Sequence, residues 1–479
     1  MSPPHVALNR FGLGARPGEA ERLDDPRGWL LRQLEGPPPT LTPTPEADAG
    51  DSDLFRSLFA GLRSQDQERV AELRRVARQR RQAEMSAVLT TRVTTERPFA
   101  ERWVAFWSNH LCVSSADGFQ TALLAGAYER DAIRPHVFGR FEEMVLASAR
   151  HPAMLYYLDN VRSTGPNSAA ARRPRRGKGP VAGALRGLNE NYARELLELH
   201  TLGVDGGYTQ DDVEQLARIF TGWGVSGVGP ERLRVRAGSD TGAGGSGEIG
   251  FRFAAPLHEP GRKRVLGRTY GEGEDAGVAV VRDLARHPST ARFLAGKIAT
   301  HFMDDAPPPA AIDALERTWL DTDGDLREVA RTLVRLDAAW APGHRKFRTP
   351  QDWFVAVLRA VDAREAAGTF PQVLQQLRHP LWAPPSPKGF GDLRREWADS
   401  DALMNRAELA RTLARRATRA GRTQGDPAAP RRRGPDIRPL ATVVALEPGD
   451  PLPEMLADES IPVDERIALA FAGPAFQWR

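Results

Sequence analysis

The chain has 479 residues, of which 41% are hydrophobic, so it is long enough to bury a sizeable core. Its 66 basic and 62 acidic residues give a formal net charge of +4, and its arginines are dispersed apart from two runs in Pro/Gly-rich stretches, so we do not predict nucleic-acid binding. A single cysteine, Cys112, excludes an internal disulfide and a cysteine cluster for zinc, and the lack of an apolar run of about 18 residues argues against a membrane span.

The first third of the chain is predicted to be helical. The segment "DDPRGWLLRQLEG" begins with an Asp cap and a proline, which is typical of a short helix. Residues 52–95 have helical periodicity with few large apolar side chains, which predicts a mostly exposed helix. The segment "PFAERWVAFWSNHLCV" is aromatic and is expected to be buried, and two more helices follow, interrupted at Pro135 and Pro152.

Loop and strand signals are concentrated in a few segments. Residues 163–186, 225–248 and 417–438 are rich in Gly, Pro or Arg, and we expect them to be flexible loops. Alternation within about residues 249–268 predicts a small β-hairpin inserted after Trp223, with His258 and Glu259 at its tip. The other segments are helical in pattern. We therefore predict a mainly α fold, a large multi-helical single body over residues 1–479 with a small inserted β-hairpin.

A polar stripe marks the helix predicted in "LNENYARELLELHTLG". At about 100° per residue, Asn191, Arg194, Glu195 and Glu198 fall on one side, and mostly apolar residues cover the rest. A helix that is apolar nearly all round is normally buried, and a buried carboxylate needs a partner or a bound cation.

Three interpretations of this stripe are open. In a structural network, Arg194 pairs with Glu198, and Glu195 meets an arginine of another helix. In a functional site, Glu195 and Glu198 line a cavity as ligands of a divalent metal ion or as an acid–base pair. The third interpretation is plain exposure to solvent. The amide of Asn191 beside Glu195 favours a site for that residue.

The buried aromatic helix offers further binding candidates. Trp103, Trp107 and His110 share one face, where a lone histidine is more often a satisfied core residue than a ligand. Arg102 and Asn109 share the other face as candidate hydrogen-bonding groups.

Two other histidines are weighed as functional groups. His258 at the predicted hairpin tip is a candidate base or ligand, because loops often carry function. Lys297 and His301 are four residues apart and can share a helix face, although ordinary surface placement is the simpler interpretation. The sequence has no nucleophile elbow, P-loop, dinucleotide fingerprint or zinc-protease helix motif.

Several segments, in order and spanning nearly the whole chain, resemble the bacterial domain of unknown function 1800 family. They are "LNENYARELLELHTLGVDGGYTQDDV" with "ARIFTGW", "RWVAFWSNHL", "IRPHVFGRF", "HPAMLYYLDN", "FRFAAPLHEPGRKRVLG", "HPSTARFLAGKIATHF" and "PAFQWR". The resemblance implies no established chemistry. It does imply export for many relatives, often beside a sulfatase-like protein, whereas the visible N-terminus has no secretory signal and predicts a cytoplasmic protein.

Two classes of function follow from these observations. The first is an enzyme, hydrolase-like by default, with a pocket built on Glu195 and Glu198, with His258 or His110 nearby and possibly with a divalent cation as cofactor. The second is a non-catalytic binding or assembly protein that supports a sulfatase-like partner. A stripe that opens into a concave pocket would favour the first class.

Overall fold

The computed structural model describes residues 1–41, 51–64, 66–172, 187–226, 249–343, 345–363, 370–423 and 437–479. Helices dominate these residues, so the predicted mainly α fold is confirmed. One hydrophobic core extends through them from Val6 near the N-terminus to Phe476 near the C-terminus. None of the helices in the described ranges is long and apolar enough to cross a membrane.

The α-helices lie in the following order along the chain: α1 (Pro3–His5), α2 (Pro26–Glu35), α3 (Asp51–Ser64), α4 (Gln67–Thr94), α5 (Pro98–His110), α6 (Phe119–Tyr128), α7 (Phe141–Arg150), α8 (Pro152–Tyr157), α9 (Asn191–Glu195), α10 (Gln210–Phe220), α11 (Glu274–Ala285), α12 (Pro288–Phe302), α13 (Pro309–Asp321), α14 (Leu326–Arg335), α15 (Pro350–Ala360), α16 (Phe370–Gln376), α17 (Ser400–Thr423), α18 (Leu452–Ala457), α19 (Val463–Ala472) and α20 (Pro474–Gln477). Wider π-helical turns continue α1 over Val6–Phe11, α6 over Glu129–Ile133 and α9 over Leu196–His200.

The helix starts follow the signals in the sequence. The Asp25 carboxylate accepts a hydrogen bond from the Gly28 amide at 2.9 Å, which caps α2. Thr209 and Asp212 form the predicted capping box at the start of α10. The long charged segment that we predicted as one helix forms two, α3 and α4.

The β-structure differs from the predicted hairpin. Two small antiparallel sheets are present in the described chain: β1 (Trp223–Val225) pairs with β2 (Phe251–Phe253), and β3 (Lys263–Val265) pairs with β4 (Arg268–Tyr270). The "EPG" turn therefore does not join paired strands. The tight turn is at Leu266 and Gly267, both with positive φ. The predicted tip, with His258 and Glu259, is instead a buried segment between the two sheets.

The predicted loops lie only partly within the described residues. Residues 163–172 form turns, and Ser168 among them is buried. The backbone amide and the side-chain amide of Asn167 each donate a hydrogen bond to Glu259 at 2.7 Å, which holds these turns against Glu259. Residues 417–423 belong to α17. Residues 173–186, 227–248 and 424–436, the remainder of the three predicted loops, lie outside the described residues.

The aromatic helix α5 is buried, as predicted. Trp103 and Trp107 are fully buried, and their rings meet edge to face at 5.7 Å. Phe302 of α12 packs against Trp103 at 5.7 Å, which fixes α12 beside α5. The side chains of these two helices that point away from the core face a cavity.

Candidate active site

A cavity of about 860 Å³ lies between α5, α12 and the loop of residues 384–396. Its size falls in the range of small-molecule sites, roughly 300–1,000 Å³. The helix α12 contributes Phe293, Gly296, Lys297, Thr300 and His301 to the wall, at the spacing of one helix face. Its opposite face, including Leu294, Ile298 and Phe302, is buried in the core. The sequence therefore builds α12 with one core face and one cavity face.

Lys297 and His110 form a hydrogen-bonded pair on the cavity wall. The His110 Nε2 lies 3.1 Å from the His200 carbonyl oxygen, so Nε2 carries the proton and donates it. The Nδ1 of the neutral ring is then an acceptor, and the Lys297 Nζ donates to it at 2.9 Å. Burial first, and then the nearby Lys297 and His200, hold the pKa of His110 well below its usual value.

Lys297 is a half-buried cation, and it forms no ion pair with a described residue. The pKa of Lys297 is lowered to about 8, mainly by burial; Cys112 and Asp392 oppose this lowering, and Lys388 adds to it. A substantial fraction of this amine is therefore neutral near pH 8 and can act as a base or nucleophile.

His301, one turn after Lys297 on the same helix face, pairs with Asp392 of the 384–396 loop. The His301 Nδ1 lies 3.1 Å from the Asp392 Oδ2, and the His301 Nε2 has no hydrogen-bond partner among the described residues. Burial opposes the charge of Asp392, but His301, Lys346 and Arg479 more than offset it and lower the pKa of Asp392 to about 2. Asp392 is thus ionised and orients the ring with Nε2 as its basic nitrogen.

Ion pairs with buried lysine and arginine side chains lie next to this wall of the cavity. The Lys346 Nζ lies 2.6 Å from the Asp305 Oδ1 and 3.9 Å from the Asp392 Oδ2. Asp352 lies 3.1 Å from Arg102 and 3.2 Å from Arg479, and these guanidinium groups more than offset its burial and hold its pKa far below the usual range. Arg102 also donates to the Gly12 carbonyl at 2.6 Å. These charges are already paired, unlike that of Lys297.

Asn109 of α5 holds the 384–396 loop over the cavity. Its side-chain amide donates to the Phe390 carbonyl at 3.0 Å, and its side-chain oxygen accepts from the Phe390 amide at 2.8 Å. Gly389 has φ +84°, and a Cβ there would lie 2.4 Å from the Asn109 carbonyl oxygen, so only glycine fits. Cys112 is buried beside the same loop, 3.4 Å from the Pro387 carbonyl, and burial raises its thiol pKa to about 12.

The predicted carboxylate stripe lies partly at this cavity. Glu198 and Leu199 line it, whereas the lining residues do not include Glu195, Asn191 or Arg194. Asn191 is exposed and the other stripe residues are half-buried, because the helix is shorter and less enclosed than its leucines suggest. The Glu198 Oε2 accepts from the Tyr208 hydroxyl at 3.3 Å.

The ion pairing that we predicted within the stripe is different in the structure. Arg194 pairs with Glu190 at 3.2 Å and with Gln210 at 2.9 Å, and not with Glu198. Burial and the neighbouring Glu198 raise the pKa of Glu195, and Arg194 opposes them only partly. No group of three or more His, Cys, Asp or Glu side chains suited to a metal ion occurs in the described part of the chain. Glu195 and Glu198 thus lack a third such ligand there.

His258 has a structural position away from the cavity wall. Its Nδ1 donates to the Thr221 carbonyl at 2.9 Å, and its Nε2 accepts from the Gly273 amide at 3.1 Å and from Lys263 at 3.4 Å. Both ring nitrogens are therefore used to join β1, β3 and the start of α11. The expectation of an exposed loop histidine does not hold, since only 6% of this residue is exposed.

The sequence patterns did not identify α12 as a wall of the site, and they gave no indication of the 384–396 loop. Lys297 and His301 are half-buried at the cavity, not on the ordinary outer surface that we expected. Four polar or small cavity positions of α12, Gly296, Lys297, Thr300 and His301, repeat at helical spacing, and this is a signal that the sequence contained. Asp392 carries no local signal, because its partner His301 is 91 residues away in the chain.

A family model described as "Protein of unknown function (DUF1800)" matches residues 6–478, nearly the whole chain. No curated protein and no solved structure matches the chain.

Proposed function

We propose an enzymatic function for this chain, which belongs to the DUF1800 family of proteins of unknown function. In this proposal the protein catalyses a proton-transfer reaction on a small molecule held in the 860 Å³ cavity. One observation carries the proposal: Lys297, an amine of lowered pKa, and His301, which is paired with Asp392 of the loop, lie on the same face of α12, and all three side chains line one cavity. Structural ion pairs alone do not require this arrangement, because Lys297 forms no ion pair with any residue that the structure describes.

His301 is the proposed general base. Asp392 accepts a hydrogen bond from the His301 Nδ1–H, and the buried Nε2, which has no hydrogen-bond partner among the described residues, keeps a lone pair that can take a proton from a substrate or water that enters the cavity. Burial, the largest influence on its pKa, holds the pKa of His301 below its ordinary value even though Asp392 opposes this. The ring is therefore neutral near pH 7, as a base must be.

Hydrolysis, the reaction class suggested by the sequence, is one reaction that this arrangement supports. His301 would activate water, and protonated Lys297 would stabilise negative charge that develops on the substrate. The divalent cation suggested with Glu195 and Glu198 has no role in this proposal, because only Glu198 lines the cavity. Export and a sulfatase-like partner stay predictions from the family resemblance.

Untargeted turnover of small molecules tests the proposal. The purified protein is incubated with a bacterial metabolite extract, and consumed compounds are identified by mass spectrometry. We expect His301→Asn and Asp392→Asn to lower turnover by about 100-fold or more. The matched control is His287→Asn, because His287 caps the start of α12 with its Nδ1 and asparagine is an equally good cap. Equal turnover by wild type and His301→Asn, or no consumption by any of them, would contradict the proposal.

A further inference from the structure

We propose that Lys297 forms an imine with a carbonyl substrate that also carries an anionic group, and that Lys388 at the cavity mouth binds this group. The inference rests on the proposed function and names the substrate class of the same site. It starts from the position of Lys297 on the cavity wall and from the chemistry of its hydrogen-bond partner.

The surroundings of Lys297 differ from those of the other buried lysines. Four of the five lysines of the chain lie in the described residues. Lys346 is bound to a carboxylate, Asp305, at 2.6 Å, and Lys263 donates to the Glu259 carbonyl and, at 3.4 Å, to the His258 Nε2, away from the cavity. Lys297 lines the cavity, and its hydrogen-bond partner among the described residues is the unprotonated nitrogen of neutral His110. A carboxylate stabilises the ammonium form of lysine, whereas a neutral imidazole does not, and it can accept a proton from the lysine nitrogen once that nitrogen has attacked a carbonyl and carries a positive charge.

Imine formation at this position has a complete proton balance. The neutral Lys297 amine attacks the carbonyl carbon, and a C–N bond forms as the C=O π bond becomes a hydroxyl. The His110 Nδ1, 2.9 Å from Nζ, accepts one amine proton and returns a proton to the hydroxyl of the carbinolamine. That hydroxyl then leaves as water with both former amine hydrogens, which gives the neutral imine, and the uptake of one proton from solvent converts the imine to the iminium. The resulting iminium or imine needs no oxidant, reductant or metal.

Two features of the wall favour this adduct. The hydrogen bond from the His110 Nε2 to the His200 carbonyl keeps the Nδ1 lone pair directed at Lys297. The Lys297 Nζ also lies 5.6 Å from the centre of the Phe293 ring, whose face stabilises a cation such as the iminium. The charged or titratable groups that influence this amine electrostatically are Cys112, Asp392 and Lys388.

Lys388 provides the recognition of an anion. It is exposed at the cavity wall on the 384–396 loop, and it has no ion pair with a described residue. Arg292, which also lines the cavity, is by contrast bound to Asp313 and to Glu316, at 2.8 Å from the latter. Lys388 is thus an available cation on the route to Lys297. A carboxylate or a phosphate on the substrate would form an ion pair with Lys388.

Reductive trapping tests the proposal with two methyl ketones. The full-length protein is treated with pyruvate or with acetone in the presence of sodium cyanoborohydride, and modified lysines are located by peptide mass mapping. We expect pyruvate to modify Lys297 at least about tenfold faster than any other lysine. We expect acetone to react more slowly, because it lacks the anionic group.

Variants separate the two parts of the inference. Lys297→Arg should remove the main adduct, whereas Lys263→Arg, which changes a buried lysine away from the cavity, should retain it. Lys388→Gln should lower the preference for pyruvate over acetone by about tenfold, the loss of one charged contact. A melting curve confirms that each variant is folded.

Preferential modification of any other lysine would overturn the imine proposal, and equal rates with pyruvate and acetone would overturn the anion site. If trapping fails but His301→Asn still abolishes turnover, the imine is refuted and the acid–base function remains. If turnover is also unaffected, the proposed function itself fails.

Discussion

At the residue scale, Lys297 lowers the free energy of unfolding, which a residue with a purely structural role would not do. Its pKa of about 8 lies below the ordinary lysine value of 10.5, so below pH 8 the folded protein must keep a charge that burial disfavours. By linkage this penalty is on the order of 3 kcal/mol, and it fades as the pH rises from about 8 to 10.5. Such a penalty is common where a residue is retained for function.

Replacement of this lysine by an apolar side chain of similar length should therefore stabilise the protein. We expect Lys297→Met to raise the free energy of unfolding by about 1–3 kcal/mol at pH 7, with a gain that shrinks towards pH 10. Loss of the hydrogen bond to His110 makes the gain smaller than the full penalty. Urea unfolding of wild type and Lys297→Met at several pH values measures this gain in the free energy of unfolding. A less stable Met variant at pH 7 would show that Lys297 is a structural residue.

Asp392, in contrast to Lys297, stabilises the folded protein when it is charged. Its pKa is lowered from 3.8 to about 2, so its contribution is complete above about pH 4 and is lost as the pH falls from 4 to 2. We expect Asp392→Asn to cost about 2 kcal/mol at pH 7, and this difference from wild type should narrow between about pH 4 and pH 2. Acid unfolding followed by circular dichroism checks this. A constant difference over that range would mean that the Asp392 charge does not contribute.

At the element scale, the 384–396 loop depends on close backbone contact with α5. Gly389→Ala places a Cβ 2.4 Å from the Asn109 carbonyl oxygen at a positive φ, so we expect a loss of about 1–3 kcal/mol and a weaker preference for anionic probes. Gly271→Ala is the matched control, because no atom lies within 4 Å of its Cβ position, and it should stay within about 0.5 kcal/mol. Equal effects of both changes would argue against this loop anchor.

The stripe on α9 and its π-helical turn gives a contrasting prediction. Since Arg194 pairs with Glu190 and Gln210, a double change of Glu195→Gln and Glu198→Gln leaves no guanidinium unpaired. We expect stability to change by less than about 1 kcal/mol, and the amide oxygen at position 198 can still accept from Tyr208. Chemical unfolding of wild type and the double variant measures this change in the free energy of unfolding. A loss of about 3–5 kcal/mol would instead indicate the buried network.

Sequence patterns predicted the elements best where the signal is local. The Asp25 cap, the Thr209 capping box and the buried aromatic helix α5 each depend on residues a few positions apart. Strand pairing was predicted wrongly, because β2 pairs with β1 across 25 intervening residues, a choice that the "EPG" turn signal cannot reveal. The burial of the stripe was overestimated for a similar reason: a helical wheel does not say how completely other elements cover a helix.

At the scale of the whole molecule, the helical periodicity was sufficient for the fold class but not for the site. The cavity forms where α5, α12 and the 384–396 loop meet, and the Asn109–Phe390 contact spans 281 residues of sequence. Of the candidates named from sequence, Glu198, His110, Arg102 and Asn109 line the cavity, whereas His258 joins strands elsewhere. Long-range contacts of this kind decide which polar residue faces a cavity and which is satisfied by its neighbours.

The most direct test of whether this cavity presents a reactive amine is competitive acetylation of the lysines with acetic anhydride. The rate of acetylation of each lysine is measured at several pH values. With only five lysines in the chain, each site can be followed by peptide mass mapping. The account predicts that Lys297 reacts and that its reactivity is half-maximal near pH 8. A Lys297 that fails to react at any pH, or whose reactivity rises only near the ordinary value of 10.5, would contradict it.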